Sequence, residues 1–182
     1  MKTLLTQLAE MHACDSAVQW VRSGGYKTLS AAWRACPRGD WMLWFAGKKS
    51  GDPESEGRRR LVIAACECAR LALPYAKSPT VLICIETAEK WSRGEATIEQ
   101  VHEARRNAAA DAYAAYAAAA AAAAYAAAAA DDAYAYAAYA YAAAAAAAYA
   151  YADAAAAYAD ARKKTLAQCA DIVRKHYPRP PR

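Results

Sequence analysis

Histidine, glycine, proline and phenylalanine are scarce in this 182-residue chain, with three, seven, seven and one copies. Each scarcity closes off a class of chemistry. The histidines, at 12, 102 and 176, stand at no metal-ligand spacing with one another. The few glycines never assemble a Gly-x-x-x-x-Gly-Lys-Ser/Thr phosphate cradle, and no nucleophile elbow or paired-carboxylate motif occurs. Residues 107–161 lack His, Cys, Ser, Thr, Glu, Lys, Arg, Gly and Pro altogether. General acid–base, nucleophilic and metal chemistry have no carriers there beyond five aspartates. The residues therefore predict a non-enzymatic protein that needs no cofactor and no metal.

What fills 107–161 is 39 Ala, 10 Tyr, five Asp and one Asn. Alanine has the highest helix propensity and both breakers are absent, so the tract reads as helical scaffold. Unbroken, it would extend roughly 80 Å. A compact chain of this length measures roughly 40 Å across. A fold-back at Asp131-Asp132, the tract's central polar pair, resolves the conflict, because Asp caps helix starts well. The rival is one long helix pairing with a second copy, which makes a homodimer through the Ala/Tyr-rich helices the alternative. Residues 133–175 alone would still extend about 65 Å, so a further bend near Asp153 or Thr165, or sharing between protomers, is expected. The tyrosines scatter around the helical wheel without a heptad or eleven-residue repeat. Tight bundle packing, with Tyr as knobs between Ala backbones, is favoured over a Tyr-rich recognition surface.

The large aliphatics lie almost entirely before residue 101, so the core is expected there. Net charge is +5, concentrated in 1–106 and in 162–182, with the tract acidic. That asymmetry reads first as helix-dipole complementarity and a solvated tail, and second as a nucleic-acid contact. The tract has no Leu, Ile, Phe or Val to drive membrane insertion. No basic segment followed by a short apolar run opens the chain, so a secretory precursor is not expected. A soluble, cytoplasmic protein with reduced thiols follows. Cys66 and Cys68, two apart on a helix, would point about 200° apart and cannot easily share a metal.

Taken in order, Leu4, Leu5, Leu8 and Met11 share one helical face. Asp15 can cap a second helix to Arg22, which Gly24-Gly25 ends, and Thr28 or Ser30 starts a third, with Leu29, Ala32 and Trp33 inward. Asp40 is placed to N-cap a fourth helix whose Trp41, Trp44 and Phe45 form an i, i+3, i+4 face. Gly47 to Gly57 reads as a polar loop. The apolar run 61–73 reads as the central helix, within which Glu67 and Arg70 are spaced to pair. Pro79 opens the next helix, and Thr97–Gln100 is a capping box that launches the Ala-rich one. A basic amphipathic helix with Leu166, Cys169, Ile172 and Val173 follows the tract, then a prolyl tail. This predicts an all-α, irregular helical bundle of about seven or eight helices. It forms a single domain: core helices over 1–106, an Ala/Tyr-rich hairpin over 107–161, and a basic helix and tail over 162–182.

Three strings carry a resemblance: Trp33 through Trp44 (WRACPRGDWMLW), Ala64 through Pro74 (AACECARLALP) and Cys169 through Pro178 (CADIVRKHYP). Together with the Ala/Tyr-rich stretch they resemble a family of immunity proteins of bacterial polymorphic-toxin systems, similar to proteins found in phages and metagenomes. The resemblance implies neutralisation of a cognate toxin or effector protein by binding, without catalysis. It supplies no site residues. From the residues themselves the candidate contacts are Arg38, Asp40, Trp41 and Trp44, supported by Glu67 and Arg70. The competing reading has both tryptophans filling the core and Asp40 merely capping. The alternative functions are nucleic-acid binding through Arg58–Arg60 and the basic C-terminal segment, or binding of a small anionic ligand.

Overall fold

The computed structural model describes residues 3–52, 54–75, 79–115 and 155–181. These residues form an all-α bundle with no strand among them. The helices are α1 (Leu4–Glu10), α2 (Asp15–Ser23), α3 (Leu29–Ala35), α4 (Gly39–Lys48), α5 (Glu56–Arg70), α6 (Pro79–Ser92), α7 (Ile98–Ala115) and α8 (Ala155–His176). A single 3-10 turn, Leu73–Tyr75, follows α5.

Local chemistry accounts for most boundaries. Thr3 and Thr28 each accept a bond from the backbone N–H three residues on, at the start of α1 and of α3. The capping box at α7 closes in both directions: Thr97 N–H donates to Gln100 Oε1 at 2.8 Å, and Gln100 N–H to Thr97 Oγ1 at 3.3 Å. Two expected caps differ. Asp15 lies inside the first turn of α2, after Cys14. Asp40 likewise lies inside the first turn of α4, which starts at Gly39 with Arg38 at the cap position and no side-chain cap bond.

The polar loop is also shorter than its composition suggested. Gly47 belongs to α4 and Gly57 to α5, and the latter helix is capped by Ser55 Oγ accepting from Arg58 N–H at 3.1 Å. Helix hydrogen bonding absorbs two glycines that sequence reading treats as breakers, at the modest entropic cost of Gly inside a helix.

The central element is α5. Val62, Cys66 and Ala69 face a cluster shared with α6 and α7, and Leu61, Ala64, Ala65 and Cys68 face a second shared with α4 and α8. A smaller third cluster joins α1, α2 and α3 through Leu4, Leu8, Val21 and Ala32. The opposite facing of Cys66 and Cys68 is direct: one thiol lies 3.8 Å from Ile85 O, the other 3.8 Å from Cys169 O.

Both ends of the Ala-rich tract that are described are helical, as parts of α7 and α8. Helix α8 runs unbroken from Ala155 to His176, so the helix is not interrupted at Thr165. The Thr165 hydroxyl donates back to Ala161 O at 2.9 Å, satisfying itself within the helix. The expected fold-back at Asp131-Asp132, the bend near Asp153 and a homodimer contact through the tract lie outside the described residues. No described helix is long and apolar enough to cross a membrane.

Candidate interaction site

Four of the six candidate contacts gather where α3 gives way to α4. Cys36-Pro37 stops α3, since the residue before proline is driven out of the helical region. The turn then presents Arg38, whose Nε donates to Asp40 Oδ1 at 2.8 Å while Nη2 engages Oδ2. The pair is bidentate, and the hydrogen bond to Asp40, against the opposing cost of burial, raises the Arg38 pKa above its usual value. Asp40 is 8% exposed, so this charge cannot be left unpaired. The same guanidinium stacks 4.5 Å above the Trp41 ring. Trp41 in turn lies 5.9 Å from Trp20, which lies 4.8 Å from Tyr26.

This row of Arg38, Trp41, Trp20 and Tyr26 is half-buried along its length. Trp44, one turn further along α4, is half-buried too, with Lys48 Nζ 5.7 Å over its ring. Beneath Trp20, Trp41 and Trp44, a wholly apolar cavity of about 60 Å³ separates α4 from α1–α3. The expected Trp41, Trp44 and Phe45 face is therefore split. Phe45 is buried with Met42, Leu43 and Ala46, whereas both tryptophans pack on that core with one edge and reach solvent with the other.

Glu67 and Arg70 do not pair with each other, nor are they hydrogen-bonded to the α4 group. Arg70 crosses to α6 and grips Glu89 through two bonds of 2.8 Å. Glu67 crosses the other way to α8, accepting from Lys175 at 3.2 Å and lying 2.9 Å from His176 Nε2. Partial burial pushes the Glu67 carboxyl up, but these two partners outweigh it and hold it below 4.5. An i, i+3 spacing permits a pair; here each residue found a bidentate or doubled partner on a neighbouring helix.

Several determinants escaped sequence reading. Trp33 Nε1 donates to Tyr177 O at 2.9 Å, the Tyr177 hydroxyl donates to Gly57 O at 3.2 Å, and Arg174 donates to Cys36 O at 2.8 Å. At Gly39 an added Cβ would lie 2.3 Å from Cys169 Cβ and 2.6 Å from Ala170 N, so α8 crosses directly over the start of α4. The Arg-Gly-Asp string thus has a packing reason for each member. All three strings that carry the family resemblance converge on this one seam. The available sequence signal was the helical spacing of Ala170, Val173 and Tyr177, which runs along one face of α8 into the first residue after it.

The three consecutive arginines of α5 also part company. Arg58 is 8% exposed and donates to Gly51 O, Arg59 donates to Trp91 O, and only Arg60 stands in solvent. They do not form a continuous basic surface.

The thiols are muted. Five of six cysteines are buried, Cys14 being the exposed one. Burial pushes the Cys36 thiol up to about 11 and raises Cys66 further. No group of three or more His, Cys, Asp or Glu among the described residues is placed to hold a metal ion. No family model matches the chain, and no curated protein and no solved structure matches it significantly.

Proposed function

We propose that this chain is a non-enzymatic binding protein of the immunity type, which neutralises a toxin or effector protein by covering it. The observation that carries the reading is the row of half-buried Trp20, Trp41, Trp44 and Tyr26 with Arg38 stacked on Trp41. Trp, Tyr and Arg dominate the energetics of protein interfaces, because they offer large area at low rotamer cost. In this chain the tryptophans already pack against the core, and Trp41 is further held by Arg38, itself fixed by Asp40. A partner would meet a preorganised surface, and occlusion needs no catalytic group. Glu67 and Arg70 serve this reading as braces that fix α5 against α8 and α6, rather than as contacts.

The test is capture of stoichiometric protein partners from host lysate by the wild-type chain and by Trp41→Ala and Trp44→Ala variants in parallel. Loss of one partner from both variants, with each melting within a few degrees of wild type, supports the reading. Variants that melt lower yet retain the partner would show both tryptophans to be core residues and would sink it. The cognate toxin's activity, titrated with the captured chain, then distinguishes neutralisation from mere attachment.

A further inference from the structure

The end of α4, the start of α5 and the tail after α8 enclose a second cavity, of about 470 Å³. Its charged lining is all basic, Lys49, Arg60 and Arg179 beside His176, with no Asp or Glu among the lining residues. Arg60 shares its charge with the exposed Glu56 at 3.2 Å, and His176 Nε2 lies 2.9 Å from Glu67 Oε1. Lys49 and Arg179 have no ion pair among the described residues. We propose that this cavity is a binding site for a compact phosphate-bearing anion, separate from the aromatic row on α4.

The walls are fixed before any ligand arrives. Tyr177 anchors the tail at three points: its N–H bonds Val173 O at 2.7 Å, its carbonyl accepts from Trp33, and its hydroxyl holds Gly57 O. Arg179, two residues on, thereby joins Arg60 in the cavity lining. The loop carrying Lys49 is tied as firmly. Ser50 Oγ donates to Gly47 O at 2.8 Å, Ser55 Oγ donates to Ser50 O at 2.5 Å, and Arg58 holds Gly51 O at 3.2 Å. Gly57 has no side chain to push this loop away, since a Cβ there would meet Ser50 O at 2.6 Å.

Behind the loop, buried Arg58 has no partner for Nε or Nη1 among the described residues. Its charge therefore adds to the positive field of the cavity instead of being cancelled locally.

Charge density selects the ligand. Three permanent cations facing one cavity call for at least two negative charges in a small volume. A phosphate monoester carries about −1.5 to −2 on a single group at neutral pH, whereas a carboxylate carries one charge. The guanidinium fork matches phosphate oxygens in pairs, and Lys49 supplies a point charge. Pro178 and Pro181, also in the lining, have no N–H to donate. Recognition thus rests mainly on the side chains. The volume falls within the range of small-molecule sites, about 300–1,000 Å³, and exceeds what one phosphate fills. A diphosphate or a phosphorylated small molecule fits that combination.

Calorimetric titration of the full chain with inorganic pyrophosphate, at low ionic strength, is the experiment. Saturable one-to-one binding is expected. Arg179→Gln and Lys49→Gln should each weaken it about tenfold, while Arg93→Gln, at an exposed pair with Glu95 on the end of α6, should leave it unchanged. Both substituted side chains are exposed, and an unchanged melting temperature certifies the fold. No binding by the wild-type chain overturns the proposal, as does binding that both variants leave within twofold. Citrate binding as tight as pyrophosphate would show charge collection without phosphate recognition, and overturns the assignment of class. A single-stranded oligonucleotide that binds more tightly, with Lys163→Gln and Lys164→Gln weakening it as much as Arg179→Gln, would make the ligand a strand and overturn the small-molecule site.

Discussion

The two flanks of α5 are built by different rules. Toward α6 and α7 the core is Val62, Cys66, Ala69, Val81, Cys84, Ile85, Ala88, Val101 and Ala108, aliphatic and small except for Trp91. Toward α4 and α8 it is aromatic and stitched by polar bonds: Trp33 against Phe45, Trp33 to Tyr177 O, Arg174 to Cys36 O, Cys68 to Cys169 O. The first flank rests mainly on hydrophobic area and Ala-width spacing, with its strongest polar bonds, Arg70 to Glu89, at the half-exposed rim. The second depends on a close helix crossing and on donors that must meet particular carbonyls. Both candidate sites border this second flank. Specific geometry is concentrated where a rigid surface is useful, and the other flank supplies bulk stability.

Gly39→Ala should break the contrast most sharply. A methyl there collides with Cys169 Cβ and the backbone of Ala170. Helix α8 must lift from α4, and overpacking of that kind costs about 3 kcal/mol at its upper range. Chemical denaturation should show a loss of that order, with the midpoint shifted at unchanged slope. Ala88→Gly on the other flank removes a methyl and a helix preference at a fully buried site, and should cost about 1–2 kcal/mol. Equal costs for the two would mean that the α4–α8 seam adapts and that the two flanks are not distinct.

Glu67 offers an intermediate case, because its partners Lys175 and His176 tie α5 to α8. The folded carboxyl titrates below its usual 4.5. Its contribution is therefore fully present above pH 4.5 and disappears as pH falls through the lower, folded value. Glu67→Gln should lower stability by about 1 kcal/mol at pH 7, given that Lys175 is largely solvated. The gap between variant and wild type should narrow as pH falls below 4.5 and close once the folded carboxyl is protonated. Melting curves across that interval check it; a gap that stays constant with pH would mean that the carboxylate charge contributes nothing.

How much of this could be read from the chain follows the same division. Helix class, the helix starts at Thr28 and Thr97, and the apolar run of α5 were legible, because each depends on residues within one or two turns. The Asp40 position misled because Asp before an apolar run signals a cap, while its actual partner, Arg38, precedes it. Arg58–Arg60 read as one basic run, yet helical rotation sends Arg58 inward, Arg59 to Trp91 O and only Arg60 to solvent. Trp41 and Trp44 were legible as candidates, but not their division between core and surface. The basic cavity was not legible at all. Lys49, Arg60 and Arg179 come from three separate segments, brought together by the Tyr177 anchor and by the bonds that tie the Lys49 loop to α5.

The smallest expected effect lies on the quieter flank, at Arg70. Its two bonds to Glu89 are well formed, with side-chain exposures of 38% for Arg70 and 20% for Glu89. Geometry alone would suggest a strong brace. Solvent screening and the ordering of a long side chain reduce such pairs to about 0.5–1 kcal/mol, even when bidentate. Arg70→Gln keeps a donor near Glu89 and should sit at the lower end of that range, measured by urea denaturation at pH 7. Raising ionic strength to about 1 M should shrink the difference further, since it shortens the screening length to about 3 Å. A loss near 3 kcal/mol would mean that α6 is held by this pair rather than by Val81, Cys84, Ile85 and Ala88, and the description of that flank as aliphatic bulk would fail.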